Sequence, residues 1–498
     1  MDQKTNEVSP FLVISKASLA SEQDLLATDF GDGDDCACPD DGLTLAPGQV
    51  APVHCHQTRY EHPVLFQEPL DTEHTLVFNP LAQSGPIILN EASLKLLGQF
   101  QTPSTLNQAV LANRDLPGGL ATAVQFVTLG LLQPVGQTMQ PQRGQPQTLT
   151  AWLHVTNACN LRCPYCYLHK TPDEMELEHG RLAINAIFRS AVNNGFRRVK
   201  IKYAGGEATL NMKTVLALHD HAAQLASEHQ LKLAGVILSN GVSLTNKMIE
   251  ALRQRQLKLM ISLDGVGEVH DGQRPFINGN GSFNHVERTL DRLQAVGFVP
   301  TISITITRQN VHSLPETVRY VLKRKLPFSL NFFRDNECAS ANLAYDEQQI
   351  IEAMQKAFAV IEADLPQRSL LGAVLDRTRL DMPHDRPCGV GHSYLVIDQN
   401  GRVAKCQMEI EQPVTDVYAP DPLAVAQQDT NHLQNPSVDE KEGCRSCPWR
   451  YWCAGGCPAL TYRATGRFDV KSPNCNIYQK LFPSVLRLEG QRLLATAA

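Results

Sequence analysis

The sequence predicts an α/β fold with a parallel sheet at its centre, preceded by a small α+β unit and followed by a cysteine-rich segment. Three observations carry this. Short apolar strands alternate with helices between residues 150 and 334, a separate strand-then-helix pattern lies between 66 and 138, and most of the 14 cysteines fall into two tight groups.

The central strands are read at 150–157 (TAWLHVTN), 198–205 (RVKIKYAG), 233–240 (LAGVILSN), 257–265 (LKLMISLDG), 299–307 (VPTISITIT) and 328–334 (FSLNFFR). Helices such as RLAINAIFRSAVNNG and MKTVLALHDHAAQLASEH fit between them, which implies parallel pairing with right-handed crossovers. Short apolar strands suit a sheet covered on both faces. Upstream, HTLVFNP and GPIILN read as strands, and EASLKLLGQF, STLNQAVLANR and GGLATAVQFVTLGLL as helices. The Gln-, Pro- and Gly-rich text at 137–147 reads as a linker. The expected domains are therefore a poorly patterned segment at 1–65, a small domain with linker at 66–147 and a central domain at 148–343. A helical bridge at 344–387, a cysteine-rich domain at 388–480 and a C-terminal helix or tail at 481–498 complete the chain.

At 498 residues the chain is too long for one core, and 43% hydrophobic with 19% charged residues is the composition of a globular protein. A net charge of -6 gives no reason to expect nucleic acid or an anionic membrane as partner. No stretch is long and apolar enough to span a bilayer, and the N-terminus lacks the pattern of a secretory signal, so a cytoplasmic location is expected. In a reducing compartment, grouped cysteines read as metal or cluster ligands rather than disulfides.

The first strand runs into Cys159-x3-Cys163-x2-Cys166, with Tyr165 before the third cysteine. Three thiolates can hold three irons of a [4Fe–4S] cluster and leave one iron open for a small molecule. Zinc with His169 as fourth ligand is the rival reading. At these residues the sequence resembles the radical S-adenosylmethionine (SAM) superfamily, and the resemblance extends through about residues 150–335. Gly205-Gly206-Glu207 looks like the family's GGE motif for the amino group of SAM, with glycines admitting a close ligand. Ser239-Asn240-Gly241 is similar to its (T/S)NG element. Ser262 within SLDG and Arg274 twelve residues later resemble the pair that binds the SAM carboxylate in peptide-modifying members. Gly279, Gly281, Ser282 and Phe283 continue the same text, and Asp264 is expected to be structural or to orient SAM. The resemblance implies a partial (β/α)6 TIM-type barrel in which a reduced cluster cleaves SAM and a 5′-deoxyadenosyl radical abstracts a substrate hydrogen.

The second group reads Cys388-x12-Gly401-x4-Cys406, then Cys444-x2-Cys447-x5-Cys453-x3-Cys457-x17-Cys475. It resembles the SPASM domain; a zinc ribbon shares only the C-x2-C element. The resemblance implies two auxiliary [4Fe–4S] clusters, one on Cys388, Cys406 and Cys457, the other on Cys444, Cys447, Cys453 and Cys475. Some relatives have a further cysteine just before Cys388; here His384 and Asp385 stand near that place, so the first auxiliary cluster has either an open iron or a non-cysteine ligand. Sulfatase-maturating members carry an aspartate base after the Gx4C cysteine, where this chain has Gln407, and no catalytic base is assigned.

The pattern at 70–138 resembles the PqqD-like, winged-helix peptide-recognition element, which pairs a leader peptide with a strand edge. Cys36, Cys38 and Cys55 are expected to be loop thiols, and Cys338 a buried hydrophobe. Together these features imply a radical SAM/SPASM maturase of a ribosomally made precursor peptide, forming a thioether or carbon–carbon cross-link. Three [4Fe–4S] clusters, SAM and an electron donor such as flavodoxin or ferredoxin would serve it. The alternatives are a sulfatase-type maturase, a SPASM oxidoreductase on a small molecule, and an iron–sulfur scaffold or sensor.

Overall fold

The computed structural model describes residues 10–16, 57–112, 117–137, 139, 145–339 and 343–497. The N-terminal strands are β1 (Val13–Ile14), β2 (Arg59–Glu61), β3 (Phe66–Pro69), β4 (His74–Phe78), β5 (Ile87–Asn90), β6 (Ser104–Thr105) and β7 (Gln133–Pro134). The central strands are β8 (Thr148–Thr156), β9 (Arg198–Gly205), β10 (Lys232–Ser239), β11 (Lys258–Ser262), β12 (Thr301–Ile306) and β13 (Phe328–Phe332). Three more follow: β14 (Tyr394–Ile397), β15 (Arg402–Ala404) and β16 (Thr415–Asp416).

Strands β8 to β13 pair in parallel, each with its neighbour in sequence, and helices such as Leu177–Asn193 and Met212–Glu228 connect them. This is the expected partial (β/α)6 barrel. Side chains alternate between the two faces of a strand, and here the faces differ sharply. Leu153, Val155, Ile201, Tyr203, Ile302 and Ile304 join the helices in the main core, whereas Trp152, Ala204, Met260, Ser262, Ser303 and Thr305 line a cavity. The expectation of a sheet covered on both faces is therefore corrected: the T-I-S-I-T-I text of β12 has one apolar face for helices and one polar face for the lumen.

The sheet does not stop at the expected barrel boundary. After residue 388, β14 pairs in parallel with β8, with Tyr394 opposite Thr150, and β15 and β16 add antiparallel. The cysteine-rich segment thus grows out of the barrel's first strand. The helical bridge is shorter than expected: Asp346 caps the helix Glu347–Ala363 by accepting from Gln348 N at 2.9 Å, and Pro366 follows its end. The C-terminal helix is longer than expected, running from Cys475 to Ala497, so the 480/481 boundary falls inside it.

The N-terminal unit has one sheet in the order β1-β5-β4-β3 and a second in the order β6-β2-β7, with helices Glu91–Gly98, Leu106–Leu111 and Gly119–Thr128. Part of the segment expected to lack pattern is ordered, since β1 pairs antiparallel with β5. This unit packs firmly on the C-terminal segment. Phe78 stacks on Trp449 at 5.9 Å, Trp452 Nε1 donates to the Pro80 carbonyl at 2.7 Å, and Leu70, Leu76 and Ile88 belong to the main core. Gly490 makes room for the contact, because a Cβ there would lie 2.6 Å from Leu76 Cδ1 and 3.1 Å from Leu70 Cδ1. Gly490→Leu is expected to destabilise the anaerobically prepared protein by about 1–3 kcal/mol through overpacking, read as a lower denaturation midpoint; an unmoved midpoint would argue against this docking.

Candidate active site

The C-terminal ends of the parallel strands surround a cavity of about 260 Å3, the place where such barrels concentrate function. At the end of β9, Gly206 N donates to Thr156 O at 2.7 Å and Glu207 N to Ala158 O at 2.9 Å. A Cβ on Gly205 would lie 2.1 Å from Thr156 O, and one on Gly206 2.1 Å from Ala158 O. These glycines were expected to admit a ligand; their first task is to let two backbones touch, which fixes the cysteine loop against β9.

Glu207 is buried and accepts from neighbouring protein groups. Its Oε1 takes Thr209 N at 3.1 Å, Thr209 Oγ1 at 2.6 Å and Ser239 Oγ at 2.8 Å, while Oε2 takes Asn240 N at 2.6 Å. The carboxylate therefore staples the ends of β9 and β10. Asn240 Nδ2 then donates to Asn160 Oδ1 at 2.7 Å, which closes the ring back to the cysteine loop.

Ser262 ends β11 on the cavity side. Two residues on, the buried Asp264 accepts from Arg274 Nε at 2.7 Å, Thr305 N at 2.8 Å and the Tyr165 hydroxyl. Arg274 lies over the Tyr165 ring at 5.4 Å. Asp264 thus orients the arginine rather than acting as a base. Ser282 Oγ donates to Arg274 O at 2.6 Å and Phe283 N to Asp271 Oδ1 at 2.7 Å. A Cβ on Gly281 would lie 2.1 Å from Asp271 Oδ2, so the Gly-Ser-Phe text serves to fasten the arginine loop.

Cys159, Cys163 and Cys166 line the same cavity. Burial pushes the Cys163 thiol up to about 12 and raises Cys159 as well. Thiols so placed stay neutral unless a cation or metal binds them, which is the donor chemistry a cluster requires. Lys170, which stands outside every sequence motif, also lines the cavity. Burial works against its charge, but Cys166, Cys159 and Cys163 outweigh burial and hold its pKa above the usual lysine range. His169 is exposed.

The C-terminal thiols form two groups. Cys388, Cys406 and Cys457 are buried together with Trp152 and Tyr394, and Cys166 and Tyr167 pack against the same cluster. Asn435 Nδ2 lies 3.7 Å from Cys388 Sγ. Cys444, Cys447, Cys453 and Cys475 line a second, smaller cavity, where Gln479 Nε2 reaches Cys447 Sγ at 3.8 Å and Cys475 Sγ at 3.7 Å. Burial raises Cys444 to about 11 and Cys453 to about 12. Among the described residues no three His, Cys, Asp or Glu side chains converge on the position of a single metal ion. Asp385 pairs with Arg386 at 2.8 Å, whereas His384 is buried, its imidazole lowered to about 4 by burial and its Nε2 without a hydrogen-bond partner.

Gln407 lines the main cavity, and its Oε1 accepts from the Tyr394 hydroxyl at 3.0 Å. Arg334, Arg377 and Met408 also line it, and the sequence offered no motif for them. Cys338 is half-buried in the loop after β13 rather than buried, because that loop leaves the sheet. Cys36, Cys38 and Cys55 lie outside the described residues.

Residues 153–321 match the radical SAM superfamily. That segment is a radical SAM domain. The chain is 26% identical over 354 residues to the mycofactocin maturase MftC of Mycobacterium tuberculosis, across 68% of this chain and 85% of that protein. It is 20% identical over 323 residues to the cysteine-type anaerobic sulfatase-maturating enzyme of Clostridium perfringens, across 61% of this chain and 86% of that one. The solved structure of native anSMEcpe with bound AdoMet and Cp18Cys peptide shares its fold, with a TM-score of 0.56 at 18% identity over 69% of this chain and 99% of that chain. The radical SAM match over these residues implies a [4Fe–4S] cluster and SAM. No described helix is long and apolar enough to cross a membrane.

Asp264→Asn removes the charge that anchors Arg274. SAM affinity of the anaerobic enzyme should fall roughly tenfold to a hundredfold, the worth of one charge-assisted hydrogen bond. Equal affinity in a calorimetric titration would show that Asp264 has no part in the site.

Proposed function

We propose that this enzyme modifies a ribosomally made peptide and forms a thioether or carbon–carbon cross-link in it. One observation carries the reading: a single cavity is lined both by the barrel residues around Cys159, Cys163 and Cys166 and by Arg377, Gln407 and Met408 from the C-terminal region. The similarity to two maturases along most of the barrel and beyond supports it.

In this reading Cys159, Cys163 and Cys166 hold the SAM-binding cluster. Gly205, Gly206, Glu207, Ser239 and Asn240 form the wall for the SAM amino group. Ser262 and Arg274 receive its carboxylate, with Tyr165 supporting the arginine. When bound, the cluster and SAM supply a 5′-deoxyadenosyl radical. Cys388, Cys406 and Cys457 hold one auxiliary cluster, and Cys444, Cys447, Cys453 and Cys475 the other. Cross-linking removes two hydrogens from the peptide. One would leave as a hydrogen atom to the 5′-deoxyadenosyl radical, giving 5′-deoxyadenosine, and the other as a proton with an electron that clusters held by the C-terminal thiols would be able to take up. The packing of Cys166 against the buried apolar group that contains Cys388, Cys406 and Cys457 supports this reading. A flavodoxin or ferredoxin would supply the priming electron.

The leader segment of the peptide would add to the N-terminal sheet at β3, because β1 already covers the edge at β5. Formylglycine formation fits less well. Gln407 is neutral and its Oε1 is held by Tyr394, so it supplies no base where sulfatase-maturating relatives are expected to have one.

Reconstituted without oxygen and given dithionite and SAM, the enzyme should release 5′-deoxyadenosine, and Cys159→Ala should abolish this. Iron should fall from about twelve to about eight per chain in that variant, as one of three four-iron clusters is lost. Intact clusters with no 5′-deoxyadenosine would defeat the enzymatic reading, and zinc in place of iron would defeat the cluster assignment. Co-expression with a precursor peptide should lower the peptide's mass by two hydrogens; an unchanged mass would count against cross-linking.

A further inference from the structure

Lys441 stands between the two C-terminal thiol groups. Its side chain is buried, with 1% of the residue exposed. Its Nζ donates to Ala454 O at 3.0 Å. Burial draws its pKa below the usual lysine range, and Cys444, Cys388, Cys453 and Cys457 oppose burial. Two of those thiols belong to each group. The acids beside it in sequence are directed elsewhere: Asp439 accepts from the Tyr451 hydroxyl at 3.0 Å, Glu442 pairs with Arg467 at 3.0 Å, and Glu440 is exposed.

Ala454, Gly455 and Gly456 lie between Cys453 and Cys457, the shortest link between the two thiol groups. All three have positive φ, at 45°, 78° and 69°. A left-handed alanine is costly, so local preference does not turn its carbonyl towards Lys441. Gly455 lets the lysine pass, because a Cβ there would lie 2.5 Å from Lys441 Cδ and 2.9 Å from its Nζ. The backbone at 454 and the missing side chain at 455 thus both accommodate one ammonium. A buried ammonium is costly unless anions face it. Free thiols are neutral, whereas thiols bound to metal are deprotonated, so clusters on both groups would face Lys441 with negative charge.

We propose that Lys441 is a positioning residue shared by both auxiliary clusters, its ammonium bracing the Cys453–Cys457 segment and favouring an added electron on either cluster. Net charge and hydrogen bonds around a cluster set its reduction potential, so a cation between two clusters makes both better acceptors. Lys441 would thereby serve the uptake of the electron that cross-linking releases. This role rests on the assignment of two clusters to the C-terminal thiols above.

The test uses the anaerobically reconstituted full chain carrying Cys159→Ala, which should leave only the C-terminal clusters. Lys441→Met, Lys441→Gln and Lys441→Arg are added singly and iron is counted. Midpoint potentials are read by electron paramagnetic resonance during a redox titration. Glutamine can still donate to Ala454 O but brings no charge. In a neutral variant that keeps about eight irons, both potentials should become more negative. At a fixed potential the ratio of reduced to oxidised cluster should fall roughly tenfold to a hundredfold for each, the effect of one nearby unit charge inside a protein. Lys441→Arg should hold both potentials nearer to those of the parent. Loaded neutral variants with unmoved potentials, or with one cluster alone shifted, would overturn the shared role. If neither neutral variant loads iron, Lys441→Arg decides: full loading supports the need for a cation, and failure there too shows a packing role and overturns the proposal. If the parent itself binds zinc or no iron at these thiols, the cluster assignment falls and the role of Lys441 falls with it.

Discussion

The organisation of this enzyme depends on the contact between the end of β9 and the loop that carries Cys159, Cys163 and Cys166. Two consecutive glycines let Gly206 N and Glu207 N donate to Thr156 O and Ala158 O at 2.7 and 2.9 Å, where a side chain at 205 or 206 would collide. Glu207 then spreads that contact sideways, binding Ser239 and Asn240 at the end of β10. The cysteine loop gains its position from three adjacent strands rather than from its own conformation. Rigid placement matters because radical chemistry relies on positioning and on exclusion of competing reactions.

A second consequence follows from strand alternation. The helix-facing residues of the barrel are apolar and mostly aliphatic, and the lumen-facing residues include serine, threonine, asparagine and tryptophan. Because β14 extends the same sheet from β8, the C-terminal thiols are attached to the barrel by a ladder of backbone hydrogen bonds rather than by a flexible linker. The group around Cys406 consequently packs beside Cys166 and Tyr167. The N-terminal unit is likewise docked, through Phe78, Trp449 and the glycine at 490, so the cavity, both thiol groups and the N-terminal sheet form one continuous body.

Much of this was legible in the sequence, and for identifiable reasons. Apolar runs bounded by polar turns mark the six barrel strands, and cysteine spacing marks both thiol groups. The backbone contact that the glycines at 205 and 206 allow was not legible, because sequence shows conformational freedom but not what approaches. The extension of the sheet by β14 was not legible, since a four-residue strand inside a cysteine-rich segment has no periodicity of its own and gains its place only by pairing with β8. Lys170 and Arg377 were missed because a single cation between motifs looks like any surface charge until the fold buries it. Asp264 stood in a recognisable element, but its service to Arg274 depends on a ten-residue excursion and on the Thr305 backbone from another strand.

In the proposed function, three thiols leave one iron open, and SAM would bind this iron directly in the cavity between Glu207 and Arg274. Electron–nuclear double resonance on the dithionite-reduced enzyme, with SAM labelled at its amino nitrogen or carboxylate oxygens, addresses this most directly. Coupling of the label to the reduced cluster is expected, and it should be lost when Cys163 is replaced by alanine while the C-terminal clusters stay loaded. A fully loaded enzyme that binds labelled SAM without any such coupling would contradict it.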